Sequence, residues 1–257
     1  MVYNDLKYSK SGQVLIISII KMLDDDGTTI QIASELSDLA KEIVWDDEIN
    51  VIILTGASED TFSILADPTA SFSWLSNEWG VAPVKPADVI DGFEQPVIAA
   101  IKGEVTGQGL ELLLACDLRI GDSSCRFGFP QINDGYMPWD GGTQRLSRVV
   151  GKAKALEMLL TGEIIGAQEA LRINLINKAV PSGEVMSFAK DMAADIASRG
   201  PISLKYAKEA VYKGMDLTLN QGLRLEADLY LHLHTTEDRT EGIRAFLEKR
   251  TPEFKGK

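Results

Sequence analysis

The sequence predicts an α/β fold, a parallel core of about 200 residues followed by a helical C-terminal part, on three observations. Short β-branched runs recur at "VLIISII" (14–20), "VIILTG" (51–56) and "PVIAAIKG" (96–103), each bounded by turn residues. Between the first two, Ile30, Ile32, Leu36, Leu39, Ile43 and Val44 fall at roughly helical spacing. From "GGTQRLSRVVGKAKALEMLLTG" onward the pattern is mostly helical, interrupted by strand-like "NLINKAV" at 174–180.

Strand, helix and strand in that order imply a right-handed parallel crossover. After Gly103, "VTGQGLELLLACDLRIG" reads as a glycine-rich turn, a short apolar helix and a further strand. "FGFPQINDGYMPWDGGTQRL" (127–146) then reads as a strand end, a long turn and a helix start. Pro181, Gly200–Pro201 and Pro252 punctuate the tail, so we divide the chain into a core over 1–200 and a helical part over 201–257.

Composition narrows the function. Among 257 residues, 38 acids oppose 26 bases, and the net charge of -12 repels nucleic acid and anionic membrane. The N-terminus lacks a basic segment followed by an apolar one, and the longest apolar run is too short to span a bilayer. We therefore expect a cytoplasmic protein. Cys116 and Cys125 have neither CxxC spacing nor a paired His/Cys cluster, so they read as buried thiols rather than a disulfide or metal site.

Gly103, Gly107 and Gly109 precede a helix whose first turn carries Glu111. Glycines let the backbone approach a ligand there, and the free N–H groups of a helix start favour developing negative charge, a geometry suited to an oxyanion.

Taken in order, "TFSILAD" (61–67), "PVIAAIKGEVTGQGLELLLACD" (96–117), the 127–146 loop, "ALEMLLTG" (155–162), "AQEALRINLINKAVP" (167–181) and "TTEDRTEGIRAFLEKRTPEFKGK" (235–257) resemble the crotonase, or enoyl-CoA hydratase/isomerase, superfamily. The resemblance runs over nearly the whole chain. It implies a spiral of ββα units, a C-terminal helical part that builds trimers or hexamers, and an acyl-CoA thioester as substrate, with CoA entering as part of that substrate and no separate cofactor.

The resemblance also implies site residues. Backbone N–H groups of Ala66 and Gln108 would hold the thioester oxygen; Leu65 and Gln108 stand where relatives have glycine, and Leu65 would face the acyl group. Glu111 matches the first family glutamate, a base toward water. The second is here Gln131, whose amide can orient water or substrate but has no proton to give near neutrality. Trp139 replaces a glycine in the loop that lines the acyl pocket, a flat wall suited to a cyclic group.

Asp140 follows it, where branches of the superfamily such as the alicyclic β-diketone hydrolases carry a catalytic aspartate. The second carboxylate would then have moved from position 131 to Asp140; the competing role for Asp140 is an N-cap on the following helix. Lys249 and Tyr230 match residues that hold the CoA nucleotide. Asn174 stands where relatives have glycine and would keep a left-handed turn. His232 and His234, two apart on a helix, point to different faces and form no metal pair.

The expected activity is that of a lyase adding water to, or removing it from, an α,β-unsaturated or dienoyl-CoA thioester, alicyclic acyl groups included. The alternatives are a ring-opening hydrolase of a cyclic β-oxoacyl substrate, a double-bond isomerase and a non-catalytic acyl-CoA-binding subunit.

Overall fold

The computed structural model describes residues 3–20, 28–56 and 85–257, with side chains of the first helix from Ile32 onward. The three apolar runs form the strands expected of them: β2 (Val14–Ile19), β3 (Val51–Gly56) and β4 (Val97–Ile101). They pair in parallel, Ile52 opposite Leu15 and Val97 opposite Ile52, with helix α1 (Thr28–Ile43) as the first crossover. β6 (Leu118–Asp122) and β9 (Lys178–Val180) extend the parallel sheet.

Its far edge is β1 (Leu6–Ser11), antiparallel to β2, giving the order β1-β2-β3-β4-β6-β9. β1 is absent from the sequence reading because "LKYSKS" buries only Leu6, and its exposed lysines and hydroxyls mark a strand edge turned to water. A smaller sheet holds β5 (Glu104–Thr106), β7 (Arg126–Gly128) and β8 (Ile165–Gly166).

The main sheet is apolar on both faces because both are covered. Val51, Ile53, Ile98 and Ala100 face Val185, Ala189 and Ala193 of α7 (Val185–Ala197). Ile52, Leu54, Val97 and Ala99 face the opposite core, shared by Ile32, Leu36 and Leu39 of α1 and by Leu110, Leu112 and Leu113 of α3 (Gly107–Leu114). Val44, expected on the buried face of α1, lies just beyond the helix end and is exposed.

The 127–146 loop has the predicted order: β7, a 3-10 helix at Pro130–Asp134, then α4 (Gly142–Val150). α5 (Lys152–Thr161) and α6 (Ala167–Arg172) follow. In the 174–180 stretch only Lys178–Val180 is strand, whereas Asn174 takes φ 62, the left-handed turn that asparagine tolerates. α8 (Pro201–Gly214), α9 (Leu219–Leu233) and α10 (Glu237–Glu248) close the chain.

α8 is tied to the core where the Lys208 ammonium donates to Asp117 Oδ2 at 2.8 Å and to the Gln95 carbonyl at 3.0 Å. Both cysteines are buried, and burial pushes each thiol up to about 12. Among the described residues no helix is long and apolar enough to cross a membrane.

Candidate active site

Every residue of α3 is buried, Glu111 included, at 1% exposure. A carboxylate in an otherwise apolar helix needs donors, and two backbone groups of the 127–146 loop supply them. Glu111 Oε1 accepts the Asp140 N–H at 2.7 Å and the Gly142 N–H at 2.8 Å. Gly142 is required by space: a Cβ there would meet Pro138 Cβ at 2.8 Å and Glu111 Cγ at 3.0 Å. Burial pushes the Glu111 carboxyl up to about 7, against the backbone donors that favour its ion, and the Asp140 charge adds to the rise.

Asp140 is fully buried, and burial raises it to about 6. It does not cap α4, whose N-cap is Gly141 at φ 98 with no side-chain bond. Its Oδ2 instead accepts the Ala87 N–H at 3.0 Å, in the first turn of α2 (Pro86–Asp91). Asp140 Oδ1 has no hydrogen-bond partner. Arg145 clamps the same loop, donating to the Asp140 carbonyl at 2.9 Å and to Asp88 Oδ1 at 3.1 Å.

Around the first turn of α3 gather the amides expected there. The Gln108 side chain is 2% exposed with both amide atoms unpartnered. It approaches Asp140 closely enough to favour the aspartate ion without meeting hydrogen-bond geometry. Gln108 belongs to the first helical turn, so its N–H has no acceptor within the helix. Gly107, at φ 55, leaves room for Gln131, whose Oε1 lies 3.7 Å from where a Cβ would stand. Trp139 is half-buried with its Nε1 unpartnered, and Lys85 Nζ lies 5.6 Å from the ring centre.

The structure thus brings together Gln108, Glu111, Gln131, Trp139 and Asp140. Leu65 and Ala66 lie outside the described residues. Tyr230, exposed on α9, packs edge-on against His234 with ring centres 4.8 Å apart, and Lys249 ends α10 in a left-handed conformation, φ 54. Among the described residues neither shares a hydrogen bond or ion pair with the Glu111 group. Asp134 is exposed beside Gly135 at φ 82.

Sequence reasoning missed Arg145, Ala87 and Lys85. Arg145 stands in the quoted "GGTQRL", but its partner Asp88 is 57 positions away and nothing local signals the link.

The buried Glu111 and Asp140 carboxyls and the space-limited Gly142 lie in two of the segments that carry the crotonase resemblance. The enoyl-CoA hydratase/isomerase family model matches residues 27–257. The chain belongs to that family.

Its relatives in the enoyl-CoA hydratase/isomerase family extend the match end to end. A short-chain-enoyl-CoA hydratase of Clostridium acetobutylicum is 36% identical over 253 residues, 97% of each chain. A 2,3-dehydroadipyl-CoA hydratase of Escherichia coli is 44% identical over 268 residues, covering 99% of this chain and all of its own. The crystal structure of an enoyl-CoA hydratase from Bacillus anthracis superposes with a TM-score of 0.87 at 34% identity, covering 99% of this chain and 100% of that one. The fold is therefore the crotonase fold, and the chain is an enzyme of the hydratase type.

Proposed function

We propose that the protein adds water reversibly across the α,β double bond of a 2-enoyl-CoA thioester, with Glu111 and Asp140 as its acid–base pair. One observation carries this: the backbone of Asp140, itself a buried acid, holds the buried Glu111 carboxyl through the 2.7 Å bond from the Asp140 N–H to Glu111 Oε1. Hydration needs one group to take a proton from water and another to give one to carbon. Burial keeps both carboxyls from ionising cheaply, and the Asp140 charge raises Glu111 further, so between pH 6 and 7 the pair holds about one proton.

The values of about 7 and about 6 place that proton on Glu111, the reverse of the order its role as base requires. They stand close together, however, and geometry sets the working direction. Two backbone N–H groups bond the Glu111 carboxyl, whereas Asp140 has one such donor, from Ala87, and its buried Oδ1 makes no hydrogen bond.

In the working direction the water oxygen adds to the β-carbon while Glu111 takes its proton. The electron pair of the double bond moves into the thioester, forming an enolate, and Asp140 protonates the α-carbon. The free N–H of Gln108 suits the enolate oxygen; the second expected donor is Ala66. Gln131 orients water. The names of the hydratase relatives from Clostridium acetobutylicum and Escherichia coli support the reaction class.

Exposed apolar side chains along the C-terminal helices, among them Val211, Met215, Leu219, Leu231, Phe246 and Leu247, support the expected homo-oligomer.

The test is mass spectrometry of a panel of linear and cyclic enoyl-CoA thioesters incubated with the protein in heavy-oxygen water. One labelled oxygen in a hydroxyacyl-CoA is the expected result. A labelled carboxylate from an opened ring, a shifted double bond without label, or no product would contradict it.

A further inference from the structure

Five buried side-chain atoms without a hydrogen-bond partner belong to four residues around the first turn of α3: both amide atoms of Gln108, Gln131 Oε1, Trp139 Nε1 and Asp140 Oδ1. A buried polar atom left unpaired is destabilising, so their concentration marks the place where a ligand supplies partners. Water and the thioester account for several of them. Trp139 Nε1 is different, because an indole nitrogen only donates and hydration asks nothing of a donor there.

The second observation is the ammonium of Lys85, 5.6 Å from the centre of the same indole. In a chain of 38 acids and 26 bases, Lys85 meets no carboxylate among the described residues, while the neighbouring Asp88 and Asp91 are engaged by Arg145. A cation and a neutral donor at one indole are matched by an anionic oxygen ligand. Lys85 also covers part of the ring face that the sequence reading reserved for a cyclic acyl group.

We infer that the acyl group of the substrate ends in a carboxylate, received by the Trp139 indole N–H and the Lys85 ammonium. This rests on the hydratase reading and adds the substrate class to it. Within it, Glu111 and Asp140 act on the double bond while Lys85 and Trp139 select the far end of the chain. A carboxylate at that end keeps two charge-assisted contacts that a methyl end cannot make, and a methyl end leaves the indole N–H unpaired. The same anionic chemistry could be met by a CoA phosphate, and the test separates the two sources.

Calorimetry on the full-length protein would compare adipyl-CoA with hexanoyl-CoA, saturated thioesters of equal chain length that cannot be hydrated. The expected result is at least tenfold tighter binding of adipyl-CoA. Lys85→Met and Trp139→Phe, which keep the stem and the ring, should each bring the ratio of the two dissociation constants several-fold closer to one. Equal affinity in the unaltered protein would overturn the inference. So would a Lys85→Met variant that weakens both ligands alike, which would assign Lys85 to a CoA phosphate. Because neither probe reacts, a failed hydration assay alongside an intact preference would sink the hydratase reading alone.

Discussion

The backbone N–H of Asp140 donates to Glu111 Oε1 over 2.7 Å, so the chain segment that carries one acid fixes the side chain of the other. Any displacement of the 127–146 loop moves both carboxyls together. The loop is held from two sides, by Arg145 between the Asp140 carbonyl and Asp88, and by Asp140 Oδ2 on the first turn of α2.

Keeping two carboxyls in this place trades stability against pH. Both carboxyls are raised in the folded protein, from 4.5 to about 7 for Glu111 and from 3.8 to about 6 for Asp140. Their contribution is therefore fully present below the ordinary carboxylate range and is lost as pH rises through 6 and 7. Glu111→Gln keeps an oxygen for both backbone donors and cannot ionise. Thermal unfolding followed from pH 5 to pH 8 should show a shallower decline for this variant. At pH 8 it should be the more stable protein, by up to about 3 kcal/mol, while its hydration activity is lost.

Gly142→Ala should damage the site through space alone. The added methyl would meet Pro138 and Glu111 closer than packed carbons allow. We expect destabilisation of about 1–3 kcal/mol by denaturant unfolding and a fall in kcat on the order of tenfold or more, as Glu111 is pushed from its donors.

Lys208→Met should loosen the C-terminal helices from the core. It removes the partner of Asp117, with side chains 10% and 16% exposed, and leaves an acid that still accepts the Val97 N–H. The loss should be about 3 kcal/mol in chemical denaturation, and adding Asp117→Asn should recover part of it, since the buried charge is then gone.

How much of this was legible in the sequence follows from how local each feature is. β2, β3 and β4 are apolar on both faces and declare themselves, and Glu111 is marked by the glycines one turn before it. Asp140 stood out only against the missing acid at Gln131. Its sequence offered an equally ordinary cap on α4, and the structure assigns the carboxylate to α2 instead, 53 residues earlier in the chain. Links such as Asp140 to Ala87, Arg145 to Asp88 and Lys208 to Asp117 join elements whose approach is set by the packed sheet and helices, so no local pattern announces them. β1 escaped for the opposite reason: as an edge strand it has almost no apolar face to show.

The central claim is that Glu111 and Asp140 share one working proton, and the pH dependence of kcat/KM in Asp140→Asn tests it most directly. Asparagine retains an oxygen for the Ala87 N–H, so α2 stays docked, and at pH 5, where the parent's Asp140 is neutral, the unfolding midpoint should stay close to that of the parent. The parent should give a bell-shaped profile whose limbs fall near 6 and 7. The variant should lose one limb and, on the order of a hundredfold or more, its rate. An Asp140→Asn enzyme with the parent's rate and both limbs would contradict the account.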